Sequence, residues 1–140
     1  MGEPRFHGTR RLGAREAVSV SIGNPHRVLF LDQAGDDPLA IALSQGLALS
    51  RAEDANIEFV ARLGPQRYRA VVYERGAGLT QACGTGACAV AAAAIARGEA
   101  RADEEIVIEL PGGALSIRQD SVTGELRMTG PAELVFTGEA

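Results

Sequence analysis

The chain has 140 residues, 46% of them apolar and 23% charged, with a formal net charge of −4. That suffices for one soluble domain with a real core, or for one lobe of a larger protein. There is no basic run and no aromatic-basic interleaving, so nucleic acid is not an expected partner. No apolar run approaches membrane-spanning length, and Met1-Gly2-Glu3-Pro4-Arg5 lacks the apolar core of a signal peptide. Two cysteines five positions apart, Cys83 and Cys88, make no disulfide framework, and the expected compartment is a reducing cytoplasm.

Met1 to Arg15 is mixed and glycine-punctuated. Val18 to Ile22 alternates apolar residues with serine, the period of a half-buried strand. Gly23-Asn24-Pro25 marks a turn, and Arg27 to Leu31 reads as the next strand. Asp36-Asp37-Pro38 predicts a helix start, with Leu39, Leu43 and Leu47 at helical spacing and an end near Ser50. Asn56 to Arg62 and Arg69 to Glu74 read as strands around Gly64-Pro65. A glycine-rich loop, Arg75 to Cys83, leads to an alanine-rich helix from Gly84 to Arg97, with Gly98 suited to the C′ position. Ile106 to Leu110, Ala114 to Arg118, Leu126 to Thr129 and Glu133 to Phe136 read as short strands with turn-length connections, for which antiparallel pairing is natural. The fold class this predicts is α+β, a mostly antiparallel sheet wrapped around one buried helix.

The chemistry concentrates where that helix begins. Backbone amides at a helix N-terminus lack intrahelical partners and carry the positive end of the macrodipole. A cysteine there is biased toward thiolate, and the amides of Gly84, Thr85 and Gly86 can hold a carboxylate or phosphate. The bland reading of Cys83 is a small buried hydrophobe. Its place after a polar glycine loop favours a reactive thiol, whereas Cys88, one and a half turns on among alanines, reads as core. Gly84 to Ala89 also fits the dinucleotide pattern G-x-G-x-x-A, with Glu104 about twenty residues on. That fingerprint requires a strand running straight into the glycines within a parallel βαβ unit, and here nine residues intervene before an antiparallel-looking series. Cysteine spacing and scattered histidines do not suggest a metal site. His26 alone reads as a turn residue, and Glu74-Arg75 as solvated charge.

Taken together, several segments resemble the C-terminal half of the diaminopimelate epimerase family. They are Gly23-Asn24-Pro25-His26, Asn56-Ile57-Glu58-Phe59, Glu74 to Ala89, Leu110-Pro111-Gly112-Gly113, Met128-Thr129-Gly130-Pro131-Ala132 and Val135-Phe136-Thr137-Gly138. The resemblance is collinear through most of the chain. It implies that residues 1–140 form a single lobe and that residues 1–15 correspond to the connection between lobes. It also implies that Cys83 is one of two catalytic acid/base cysteines, with His26 and Glu74 tuning the site. Gly84 and Thr85 would hold the substrate α-carboxylate, Asn24 and Asn56 the substrate's polar ends, and Glu74 and Arg75 would line the pocket. Members of the family use neither pyridoxal phosphate nor a metal, so the resemblance implies no cofactor, with a place in lysine biosynthesis.

Inverting an α-carbon needs a base on one face and an acid on the other. The implied reaction interconverts LL- and meso-diaminopimelate, this chain supplying one cysteine. The family's other lobe, with the second cysteine, is not among these residues, so position 1 looks like an internal point of the usual chain. The expected partners are a small amino acid substrate and either that missing lobe or a second copy of this chain. A homodimer would pair two Cys83 residues and cover Leu134, Val135 and Phe136. Two rivals stay open: a non-catalytic half-domain that binds an amino acid or a partner, and a nucleotide-binding module.

Overall fold

Nine strands and two helices are described by the computed structural model over residues 3–12, 15–31 and 35–131. The strands are β1 (Arg5–Leu12), β2 (Arg15–Ser21), β3 (Pro25–Phe30), β4 (Asn56–Gly64), β5 (Arg67–Glu74), β6 (Gly78–Thr80), β7 (Ile106–Leu110), β8 (Gly113–Gln119) and β9 (Leu126–Pro131). The helices are α1 (Pro38–Glu53) and α2 (Gly84–Ala96). The expected strand Glu133 to Phe136, and with it the apolar patch of the homodimer argument, lies outside the described residues.

One sheet runs in the order β1-β2-β3-β4-β5-β7-β8-β9, with β6 added to β5. Most neighbours are antiparallel, but β3 pairs with β4 and β5 with β7 in parallel. Each parallel pair is joined through a helix, because a parallel return needs a long crossover. Antiparallel pairing is the expectation for the series after α2. That holds for β7, β8 and β9 among themselves but not for the β5–β7 junction. The mixed, glycine-punctuated opening segment contains β1, which is exposed along most of its length and pairs with β2.

Helix α2 is the centre of the fold. Every residue from Gly86 to Ala94 is buried, and the helix touches β2, β3, β4, β5, β7, β8 and β9. A helix apolar all round belongs inside a core, and alanine lets strands come close on every side. Val18, Val20, Val28, Val60, Val72, Ile106, Ile108, Ile117 and Leu126 close around it. The other face of β2 to β5 presents Ala17, Leu29, Ile57, Phe59 and Val71 to α1.

Helix α1 starts where expected: Asp37 caps it, its carboxylate accepting from Leu39 N at 3.2 Å. Its buried face is not the leucine stripe. Pro38, Ala42, Gly46 and Ser50 face the sheet, while Leu39, Leu43 and Leu47 are exposed by 46%, 67% and 49%. The reason is steric. A Cβ on Gly46 would lie 2.5 Å from Tyr73 Cδ2, so the helix comes too close to β5 for anything bulky.

Candidate active site

Period-two alternation carries the site. Val28 and Val60 pack on α2, so His26 on β3 and Asn56 and Glu58 on β4 share the face turned toward that helix. Val72 does the same on β5, which puts Glu74 on that face too. Cys83 is the N-cap of α2, in extended conformation, immediately before the first helical turn.

At Cys83 two groups meet the sulfur. Gly86 N donates to Sγ at 3.3 Å, and the Thr85 hydroxyl lies 3.6 Å from it. The amides of Gly84 and Thr85 belong to the same first turn, where helix geometry supplies no internal acceptor. Gly86 is buried, and a Cβ there would lie 3.2 Å from both Cys83 Sγ and Glu58 Oε2. Only glycine lets the helix, the thiol and the carboxyl approach this closely. The loop before Cys83 is held from the other side: Gly112 N donates to Gln81 O at 2.7 Å.

Behind the sulfur runs a line of side chains. Asn24 Nδ2 donates to Thr85 Oγ1 at 3.5 Å, and Asn24 Oδ1 lies 2.9 Å from His26 Nε2. His26 Nδ1 lies 2.5 Å from Glu58 Oε2. Both His26 and Glu58 are completely buried. Burial pushes the Glu58 carboxyl from its ordinary 4.5 up to about 7, against the opposing pull of His26. Glu58 is the functional candidate that sequence reasoning missed. Its signal was present, an acid on the core face of a strand between buried Ile57 and Phe59.

The thiolate bias expected of Cys83 is corrected by its surroundings. Burial raises the thiol above its ordinary range, and the charges of Glu74 and Glu58 add to that. The Thr85 and Gly86 donors pull the other way without cancelling it. Cys88 is core, as read, and burial pushes it up to about 11.

Asn24, His26, Thr85 and Cys83 are thus connected, with Gly84 between the last two, and Glu74 is close enough for its charge to act on Glu58 and Cys83. Asn56 is spent on the backbone. Its amide donates to Pro25 O at 3.1 Å and accepts from Arg75 N at 2.7 Å, clamping the end of β5 to the start of β3. The Arg75 guanidinium turns to Asp54, donating to its backbone oxygen at 3.0 Å, beside a cavity of about 530 Å³ also lined by Leu47 and Tyr73. Among the described residues no cluster of three or more His, Cys, Asp or Glu side chains is arranged to hold a metal ion. No helix among them is long and apolar enough to cross a membrane. The dinucleotide pattern also lacks its context. β5 and β7 are parallel around α2, but β6 and a further turn separate β5 from the glycines.

The sequence profile of the diaminopimelate epimerase family matches residues 18–135. The chain belongs to the diaminopimelate epimerase family. Diaminopimelate epimerase from Synechococcus sp. (strain JA-2-3B'a(2-13)) is 49% identical over 125 residues, covering 86% of this chain and 43% of the relative. The enzyme of that name from Parabacteroides distasonis is 43% identical, covering 85% and 44%. The chain therefore spans less than half the length of these curated relatives. Among solved structures, a predicted epimerase from Pseudomonas aeruginosa superposes with a TM-score of 0.62 at 16% identity, covering 97% of this chain and 57% of that one. A PhzF-family phenazine biosynthesis protein from Bacillus anthracis gives a TM-score of 0.57 at 18% identity, covering 91% and 40%. At such identities the two structures speak for the fold alone. A diaminopimelate epimerase family chain thus has an α+β lobe wound around α2, with Cys83 at the head of that helix.

Proposed function

We propose that this chain is one lobe of a cofactor-independent epimerase that interconverts LL- and meso-diaminopimelate, supplying Cys83 as one of two acid/base cysteines. The observation that carries the reading is the placement of the Cys83 sulfur, N-capping a buried helix with the Gly86 amide donating to it and the Thr85 hydroxyl 3.6 Å away. In one direction the Cys83 thiolate takes the α-proton and becomes a thiol. The C–H electron pair stays on carbon and spreads into the carboxylate. A second thiol, on a completing lobe, returns a proton to the opposite face and is left as thiolate. The reverse reaction exchanges the two roles.

The developing charge needs dipoles aimed at the carboxylate. The Gly84 and Thr85 amides supply them. Asn24 and Glu74 shape the remainder of the amino acid pocket, Asn56 acts only by clamping the Arg75 backbone to the start of β3, and His26 and Glu74 tune the thiol. Because burial, with the charge of Glu74 acting the same way, holds Cys83 as thiol in the free chain, the cationic α-ammonium of the substrate acts in the direction of thiolate.

The test is α-proton exchange in D₂O with LL-diaminopimelate, on this chain combined with the lobe bearing the second cysteine. Deuterium should enter the α-position, and Cys83→Ala should reduce the rate by at least about 100-fold, the scale of a lost general base. Exchange that survives Cys83→Ala would sink the reading. Saturable nucleotide binding to that variant would favour the nucleotide module instead.

A further inference from the structure

The proton between Glu58 and His26 has a consequence at the sulfur. Glu58 Oε1 has no hydrogen-bond partner among the described residues, although the side chain is completely buried. An ionised carboxylate left half-satisfied inside a core is costly, whereas a neutral acid tolerates one bare carbonyl oxygen far better. The groups facing Glu58 are His26 from β3, Glu74 from the end of β5, and Cys83 from the start of α2. Burial and the charge of Glu74 disfavour charge on Glu58, and they outweigh His26 and the backbone hydrogen bond at Glu58, which favour it. Below about pH 7 the pair therefore retains its shared proton.

We propose that Glu58 is a positioning residue for Cys83. The proton it shares with His26 Nδ1 sets the direction of the hydrogen bonds through His26, Asn24 and Thr85, and so whether the Thr85 hydroxyl donates to the sulfur. The catalytic importance of this rests on the epimerase reading, but the relay itself belongs to the chain and is measured without turnover.

With the proton in place, Nε2–H donates to Asn24 Oδ1 and Asn24 Nδ2 donates to Thr85 Oγ1. The Thr85 hydroxyl hydrogen is then free to point at Cys83 Sγ. When the proton leaves for solvent, the Glu58 carboxylate would face a lone pair on Nδ1. The imidazole answers by adopting the Nδ1–H tautomer, which makes Nε2 an acceptor. Asn24 must turn its amide to offer Nδ2 to Nε2, presenting Oδ1 to Thr85. The hydroxyl then donates to Asn24, and the sulfur keeps only the Gly86 amide. One proton leaves, and every other step is a reorientation or a tautomeric shift.

The experiment compares wild type, Glu58→Gln, Thr85→Val and the double variant. It reads Cys83 alkylation by iodoacetamide across pH, resolved by mass spectrometry, together with the His26 tautomer by ¹⁵N NMR. Glutamine at position 58 offers Nδ1 a donor that cannot ionise. At about pH 8, Glu58→Gln should alkylate Cys83 about tenfold faster than wild type, the scale of one hydrogen bond to a charged atom. Thr85→Val should remove most of that difference. Wild-type His26 should pass from the Nε2–H to the Nδ1–H tautomer as pH rises through about 7, where burial places Glu58.

Identical profiles for wild type and Glu58→Gln would overturn the proposal. So would a difference undiminished by Thr85→Val, because the effect would then be direct charge and not the relay. If Glu58→Gln does not fold, the wild-type tautomer decides: a single tautomer from about pH 6 to about pH 9 rules out the relay. None of these readouts depends on epimerase turnover, so loss of that activity leaves the test intact.

Discussion

Replacing Gly86 with alanine separates the stability of the lobe from the chemistry of its thiol. The position lies in the first turn of α2, where alanine is favoured over glycine by up to about 1 kcal/mol. Against this, the new methyl would meet Val72 Cγ2 at 3.0 Å and both Cys83 Sγ and Glu58 Oε2 at 3.2 Å. Opening three such contacts by a few tenths of an ångström costs about 1–3 kcal/mol, the range for one extra carbon in a packed core. The two effects nearly offset, leaving a net loss of about 1 kcal/mol.

Reactivity should change more. The sulfur is the contact with the most room to yield, and moving it breaks the Gly86 N to Sγ bond. A hydrogen bond to a charged acceptor is worth about 1.5–3 kcal/mol, so the thiolate population should fall at least about tenfold. Urea denaturation gives the first quantity, and the pH profile of Cys83 alkylation in the native state gives the second. A Gly86→Ala chain with wild-type alkylation kinetics would refute the argument that this glycine exists to let helix, thiol and carboxyl meet.

Three further outcomes follow from particular contacts. Glu58 titrates higher folded, near 7, than unfolded, near 4.5, so its stabilising contribution is complete below about 4.5 and lost as pH rises through about 7. That amounts to about 3 kcal/mol, which urea midpoints at about pH 5 and about pH 8 should show and Glu58→Gln should flatten. A wild-type midpoint that rises over the same interval would contradict the buried acid. Leu43→Ser should change stability by no more than about 0.5 kcal/mol, because the side chain is two-thirds exposed, whereas Ala42→Leu on the sheet side should cost about 1–3 kcal/mol. The opposite ranking would restore the leucine stripe as the buried face. Gly112→Ala would bring a Cβ within 2.9 Å of the Gln81 carbonyl oxygen and displace the loop before Cys83, which slowed Cys83 alkylation at little loss of helicity would report.

Much of this lobe was legible because its signals are local. Proline after a capping aspartate marked the start of α1, and an unbroken alanine run marked α2 as interior. Cys83 stood out because a glycine loop runs into a helix. What was not legible depends on contacts distant in sequence. The leucines of α1 have helical spacing, but Tyr73 on β5 decides which face can approach the sheet. The parallel joins depend on where the crossovers return, which no short window contains. Glu58 carries no local signal of its role, since its partner His26 lies on a neighbouring strand 32 residues earlier. The thiol's acidity was misjudged for the same reason. The helix end was visible in the sequence, and the two carboxylates facing it were not.

Cys88 lies at the middle of α2 with no exposed surface, on a helix enclosed by strands from both ends of the chain. A reagent reaches that sulfur only when strands of the enclosing sheet part from the helix, which opens the core of the lobe. The two thiols therefore keep different clocks. Cys83 reacts at a rate set by its own ionisation and hydrogen bonds. Under fast reclosing, Cys88 reacts at a rate set by the fraction of molecules unfolded. In a single labelling experiment the chain reports the state of its site through one sulfur and its global stability through the other.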